Sequence, residues 1–242
     1  MSPRTDPRKR EVLAALPATW EGPLHGFDRA VLLTHGAGTG RDAAPLLAAA
    51  AALADLGVPS LRLDFPYRAR GAKAPDRAPV LAAAVRTAIR ALVEATGLAP
   101  ERLVLAGRSM GGRVCSLVAA GVAQDGAVDP EGPTPCLGLG LLGYPLHPAG
   151  RPEVVRDAQF PRLEVPVLFV SGTRDALAPR SELIARAQAI PGPVELVWLE
   201  DGDHSFVPRK ASGRTARELL AESARALAAW VRDLPAQEPA PM

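Results

Sequence analysis

The stretch Leu103-Val104-Leu105-Ala106-Gly107-Arg108-Ser109-Met110-Gly111-Gly112 passes from a buried-strand pattern, through a G-x-S-x-G turn, into a helical pattern. Leu103 to Leu105 is apolar at every position, as in a strand covered on both faces within a parallel sheet. From Met110 to Gln124 the apolar residues recur at helical spacing. A serine at the apex of such a sharp strand-to-helix turn is lifted to the carboxyl edge of the sheet. Gly107 and Gly111, two residues to either side, remove the Cβ atoms that would strike the neighbouring strand and helix. The helix starting at Met110 points its amide donors toward the hydroxyl.

The same alternation extends in both directions. Strands are expected at Ala30–Thr34, Ser60–Asp64, Arg102–Ala106, Leu137–Leu142, Val165–Ser171 and Val194–Leu199. Helices are expected at Asp42–Leu56, with Asp42 as N-cap and a stop at Gly57, and at Pro79–Thr96, stopping at Gly97. Three more follow: Met110–Gln124, Pro179–Ile190 and Ser212–Arg232. This βαβα order implies an α/β fold, a doubly wound and mostly parallel sheet flanked by helices. At 242 residues the chain suits one such domain, with frayed ends at about 1–10 and 235–242. The short connection from Leu142 to Val165 leaves no room for a large lid.

With these residues in view, the chain resembles the α/β-hydrolases, and in particular the small lidless enzymes of the dienelactone-hydrolase-like branch. The resemblance spans about Val31 to Trp230. It implies that Ser109 is a nucleophile, and it draws in three more loops. Thr34-His35-Gly36-Ala37-Gly38 follows the Ala30 strand and is similar to the family's His-Gly loop. By that match the backbone N–H groups of Ala37 and Met110 form an oxyanion hole. Ser171-Gly172-Thr173-Arg174-Asp175 follows the Val165 strand, where the family carries its triad acid, so Asp175 takes that role. Asp201-Gly202-Asp203-His204-Ser205-Phe206 follows the Val194 strand and resembles the terminal G-x-x-H loop, which makes His204 the base. The order Ser109, Asp175, His204 is the order of this fold. Dienelactone hydrolase itself has cysteine at the elbow. Here the position is serine, with Cys115 farther along the helix, so generic serine-hydrolase chemistry is favoured over dienelactone activity.

Other residues near the expected active edge are candidates for a substrate pocket: His35, Tyr67, Arg108, Tyr144 and His147. Each has a plainer alternative. Gly143-Tyr144-Pro145-Leu146-His147-Pro148 also reads as a loop stiffened by two prolines. Asp64-Phe65-Pro66-Tyr67-Arg68 reads as a packed loop with solvated arginines. Arg108 and Arg113 either bind a substrate carboxylate or pair with an acid of the protein.

The remaining expectations are exclusions. The net charge is +2, with 28 Lys and Arg scattered along the chain, which argues against a nucleic-acid surface. The N-terminal residues lack the apolar run of a secretory signal, and Ala43–Leu53 is too short to span a bilayer, so a soluble, cytoplasmic protein is expected. The two cysteines, Cys115 and Cys136, have no metal-ligand spacing with any His and read as reduced core residues. The reading is an enzyme that needs no metal or organic cofactor. It cleaves an ester, thioester or small amide of a small-molecule acyl substrate through an acyl-enzyme on Ser109. The alternatives are a catalytically inactive binding or scaffold protein on the same fold, and an acyltransferase using the same triad.

Overall fold

Seven strands form one sheet in the computed structural model, which describes residues 7–23 and 25–235. They are β1 (Ala18–Glu21), β2 (Ala30–Thr34), β3 (Ser60–Leu63), β4 (Leu103–Arg108), β5 (Gly138–Leu142), β6 (Val167–Gly172) and β7 (Val194–Leu199). The order across the sheet is β1-β3-β2-β4-β5-β6-β7. All neighbours are parallel except β1, which runs antiparallel to β3. Every residue of β2 through β6 is buried, as continuous apolar runs in a covered parallel sheet require.

The helices are α1 (Pro7–Ala14), α2 (Ala44–Asp55), α3 (Pro66–Ala69), α4 (Ala78–Thr96), α5 (Met110–Ala120), α6 (Arg180–Ala187) and α7 (Ala216–Asp233). They cover the sheet as two layers. One face buries Leu32, Leu105 and Leu139 against Val85, Leu92 and Val118 of α4 and α5. The other buries Val31, Val104 and Val170 against Leu46 and Leu53 of α2 and Leu227 and Val231 of α7. No described helix is long and apolar enough to cross a membrane. Cys115 and Cys136 are free and buried, and burial pushes both thiols up to about 12.

Three local expectations are corrected. Residues 7–10 belong to α1, whose Leu13 is buried in the core beside α4, so they are not frayed; the rest of that expectation, 1–6 and 236–242, lies outside the described residues. Asp42 does not cap α2. Ala43 holds the N-cap position, Pro45 presets φ in the first turn, and Asp42 instead accepts from Arg62 Nη1 at 2.6 Å. The last helix starts at Ala216, where Thr215 and Glu218 form a reciprocal capping box.

The order of the strands positions the site. From β2 the chain moves outward to β3, then returns to the other side of β2 as β4. The loops leaving β2 and β4 therefore diverge and open a crevice at the carboxyl ends of these strands, the usual ligand position in such sheets.

Candidate active site

Ser109 sits where β4 ends and α5 begins, with φ 50° and ψ −113°. A non-glycine residue at positive φ costs about 1–3 kcal/mol unless its surroundings over-determine it. They do so here. The Ser109 N–H donates to Leu142 O of β5 at 2.9 Å. A Cβ on Gly111 would lie 2.6 Å from Thr34 O and 2.7 Å from His35 O. A Cβ on Gly107 would overlap Thr34 Oγ1 and approach Gly112 N to 2.5 Å. The turn packs this closely only because both positions lack side chains.

The loop after β2 crosses directly over this turn. His35 is fully buried, and its ring is wedged edge-on against Phe65 and Tyr67. Its Nε2 accepts the Phe65 N–H at 3.1 Å, so the proton lies on Nδ1, which donates to Gly36 O at 2.8 Å. Burial pushes the His35 pKa down, which keeps the ring neutral as this pairing requires. Gly36 O also accepts from Thr39 Oγ1 at 2.9 Å. Fixing that carbonyl fixes the Gly36–Ala37 peptide plane, and in a trans peptide the Ala37 N–H points the opposite way. Among the described residues neither the Ala37 nor the Met110 N–H has a protein acceptor, and both residues line the same cleft as Ser109.

Strands β6 and β7 end side by side, Gly172 opposite Leu199, so the loops that follow them start as neighbours. They are stitched together by Thr173 N–H to Leu199 O at 3.0 Å and Arg174 N–H to Gly202 O at 2.8 Å. This brings Asp175 and His204 together. The Ser109 Oγ lies 3.0 Å from His204 Nε2, and His204 Nδ1 lies 2.8 Å from Asp175 Oδ2. Because a carboxylate only accepts, Nδ1 carries the proton and Nε2 is free to accept the serine hydroxyl. The second oxygen of Asp175 accepts the Leu177 N–H at 2.8 Å, so both oxygens of this buried carboxylate are satisfied. The His204 ring is a quarter exposed and faces the opening.

Arg108 is turned into this loop and is not among the walls of the cleft around Ser109. Its guanidinium is buried, lies 4.7 Å over the Phe206 ring and donates to Leu142 O, Gly143 O and His204 O. Burial lowers its pKa to about 10, partly offset by Asp175 and Asp203. It ties the end of β5 to the backbone of the histidine. Asp201 anchors the other side of the loop. Its carboxylate takes the Arg209 N–H and Nε–H, both at 2.7 Å, and these bonds hold its pKa below the usual carboxylate value.

The cleft above Ser109 has a volume of about 370 Å³, and Ala37, Met110, Arg113, His147, Arg156 and Leu177 are among its walls. Of the five pocket candidates, only His147 lines it, with its ring fixed by Glu182 at 2.8 Å. The other four are corrected. His35 lies beneath the loop after β2, and Arg108 holds the histidine loop. Tyr67 is fully buried against His35. Tyr144 turns inward onto Phe160 and Phe169, its hydroxyl donating to Arg156 O. These aromatic rings lie on loops at the active edge but bury more apolar area by folding back over the core. The walls that sequence reasoning missed include Pro75, Asp76 and Leu81 at the start of α4 and Arg156 in the irregular segment after β5. Arg113, named from the sequence as a residue that either binds a carboxylate or pairs with an acid, is placed in the cleft wall one turn into α5.

Comparison with known proteins agrees with this architecture. A serine hydrolase homologue from Coxiella burnetii superposes with a TM-score of 0.64 at 19% identity, over 90% of this chain and 91% of that one. Dienelactone hydrolase from Anabaena variabilis gives 0.65 at 20% identity, over 90% and 91%. A propionate-bound esterase from Thermogutta terrifontis gives 0.62 at 19% identity, over 90% of each chain. At these identities the likeness is one of fold. The family model described as an alpha/beta hydrolase domain matches residues 27–232, nearly the whole described chain. The chain belongs to that alpha/beta hydrolase family.

Proposed function

We propose that this protein is a serine hydrolase that cleaves an ester, thioester or small amide through an acyl-enzyme on Ser109. The observation that carries the reading is the continuous relay from Ser109 Oγ to His204 Nε2 at 3.0 Å and from His204 Nδ1 to Asp175 at 2.8 Å. His204 takes the serine proton as Oγ attacks the carbonyl carbon, and Asp175 holds the ring and stabilises the imidazolium that forms. The tetrahedral oxyanion receives the Ala37 and Met110 N–H groups, where one such donor is worth about 3 kcal/mol. His204 then passes its proton to the leaving group, and water, activated by the same ring, releases the acid. The cleft suits a small acyl group, and one structural relative is an esterase with propionate bound.

The experiment is a panel of p-nitrophenyl esters of increasing acyl length, run on wild type and Ser109→Ala. Wild type is expected to turn over the short esters, with kcat falling by about 10⁴-fold or more in Ser109→Ala. Equal turnover by both proteins would remove the assignment.

A further inference from the structure

Five arginines are buried among the described residues, and four of them are compensated. Arg29 donates to Val231 O and Leu234 O and pairs with Asp28. Arg62 pairs with Asp42 and Glu21, and Arg86 with Asp129. Arg108 donates to three carbonyls. The fifth, Arg113, is only 9% exposed and, among the described residues, its guanidinium has neither a carboxylate within 4 Å nor a carbonyl acceptor; its Nε is unpartnered, as are those of Arg62 and Arg86, and its polar neighbour is the Tyr144 hydroxyl. It lines the cleft that holds Ser109.

A second arginine joins it. Arg156 lines the same cleft and also lacks a carboxylate partner among the described residues. The two guanidinium groups lie near enough that Arg113, after burial itself, lowers the pKa of Arg156. Of the carboxylates nearby, Glu182 is held by His147 at 2.8 Å and Asp76 by Arg70 at 2.7 Å through one oxygen, its other oxygen being buried without a partner, and neither lies within 4 Å of Arg113 or Arg156. Two cations that line one cleft with no carboxylate within 4 Å are costly to bury, and an incoming anion removes that cost.

Resting on the Ser109 hydrolase reading, we propose that the substrate carries a free carboxylate that binds between Arg113 and Arg156, a few bonds from the scissile carbonyl. The Arg113 N–H donates to Ser109 O at 3.1 Å, so the two residues lie one turn apart at the start of α5, and both line the cleft. That spacing suits an acyl chain of dicarboxylate length, such as a glutaryl group. Guanidinium matches the planar fork of a carboxylate and can bind both oxygens.

The test compares p-nitrophenyl hemiglutarate with p-nitrophenyl pentanoate, esters of equal chain length that differ in the terminal carboxylate. Wild type is expected to favour the charged ester by about tenfold or more in kcat/KM, mainly through KM. The charged-to-neutral ratio should fall toward one in Arg113→Gln, fall less in Arg156→Gln, and be partly retained in Arg113→Lys. If Arg113→Gln does not fold, the other two variants decide the result. A wild-type ratio near one, or a preference that survives both Gln variants, overturns the proposal. Calorimetry of glutarate on Ser109→Ala separates this proposal from the hydrolase reading. Binding that is lost when Arg113→Gln is added supports the anion site even if no ester is turned over, and absence of binding overturns it.

Discussion

The turn that carries Ser109 and the loop that carries His204 both contain non-glycine residues at positive φ: Ser109 at 50°, Asp201 at 60° and Phe206 at 61°. The two regions hold that strain differently. At the elbow the backbone is confined by other backbone, because Gly107 and Gly111 let β4, α5 and the loop after β2 approach within the space of a missing Cβ. The histidine loop also touches backbone, since Gly172 admits the Gly202 and Asp203 carbonyls, but there side chains add a second hold, through Arg108, Arg209 and Arg174 on the loop carbonyls and on Asp201. Steric confinement is all-or-none, since packed backbone does not yield by fractions of an ångström. Confinement by hydrogen bonds is graded, because each bond can be removed while the others remain.

Substitutions on the two sides should therefore differ in size. Gly111→Ala forces a methyl against Thr34 O and His35 O, and is expected to destabilise the fold by about 3 kcal/mol or more and to abolish turnover; chemical denaturation and an ester assay check both, and a stable, active variant would break the steric account. Arg108→Met keeps the apolar stem over Phe206 but frees the His204 carbonyl. It should lower kcat by about tenfold while KM stays nearly unchanged, since Arg108 does not line the cleft. A selective rise in KM would restore Arg108 to the pocket. The smallest effect concerns acid. The Asp201 carboxylate has a depressed pKa in the folded state, so its contribution is present above its unfolded value near 4 and is lost as the pH falls through the lower folded value. Tm of wild type should thus exceed that of Asp201→Asn at pH 6, and the gap should narrow as the pH falls below about 4. A gap that does not depend on pH would mean that charge at Asp201 is not what anchors the loop.

The same contrast explains what could be read from the residues alone. Strand β2 has the bounds that its buried apolar run implies, β7 those of its Val- and Leu-rich run although only Leu199 of it is buried, and the glycine spacing around Ser109 shows the elbow directly, because close backbone contacts leave strict residue requirements. Strand β1 was not anticipated. It is four half-buried residues at the sheet edge, paired antiparallel, and Ala18-Thr19-Trp20-Glu21 carries too short a pattern to signal it. In the site, the loops holding His35, Asp175 and His204 could be placed at the correct edge from their positions after strands. The direction of each side chain could not, which is why Tyr67, Tyr144 and Arg108 were expected to line the cleft and instead turn into the protein. Arg156 lies in irregular chain with no periodicity, so only the folded structure brings it to Arg113.

The most direct test of the central claim is labelling with a fluorophosphonate, followed by peptide mass spectrometry on wild type and His204→Ala. The expected result is a single adduct on Ser109 in wild type, with the labelling rate falling by about 10³-fold or more in His204→Ala. An adduct on another residue, or equal labelling rates in the two proteins, would contradict the claim that the 3.0 Å contact between Ser109 and His204 activates the nucleophile.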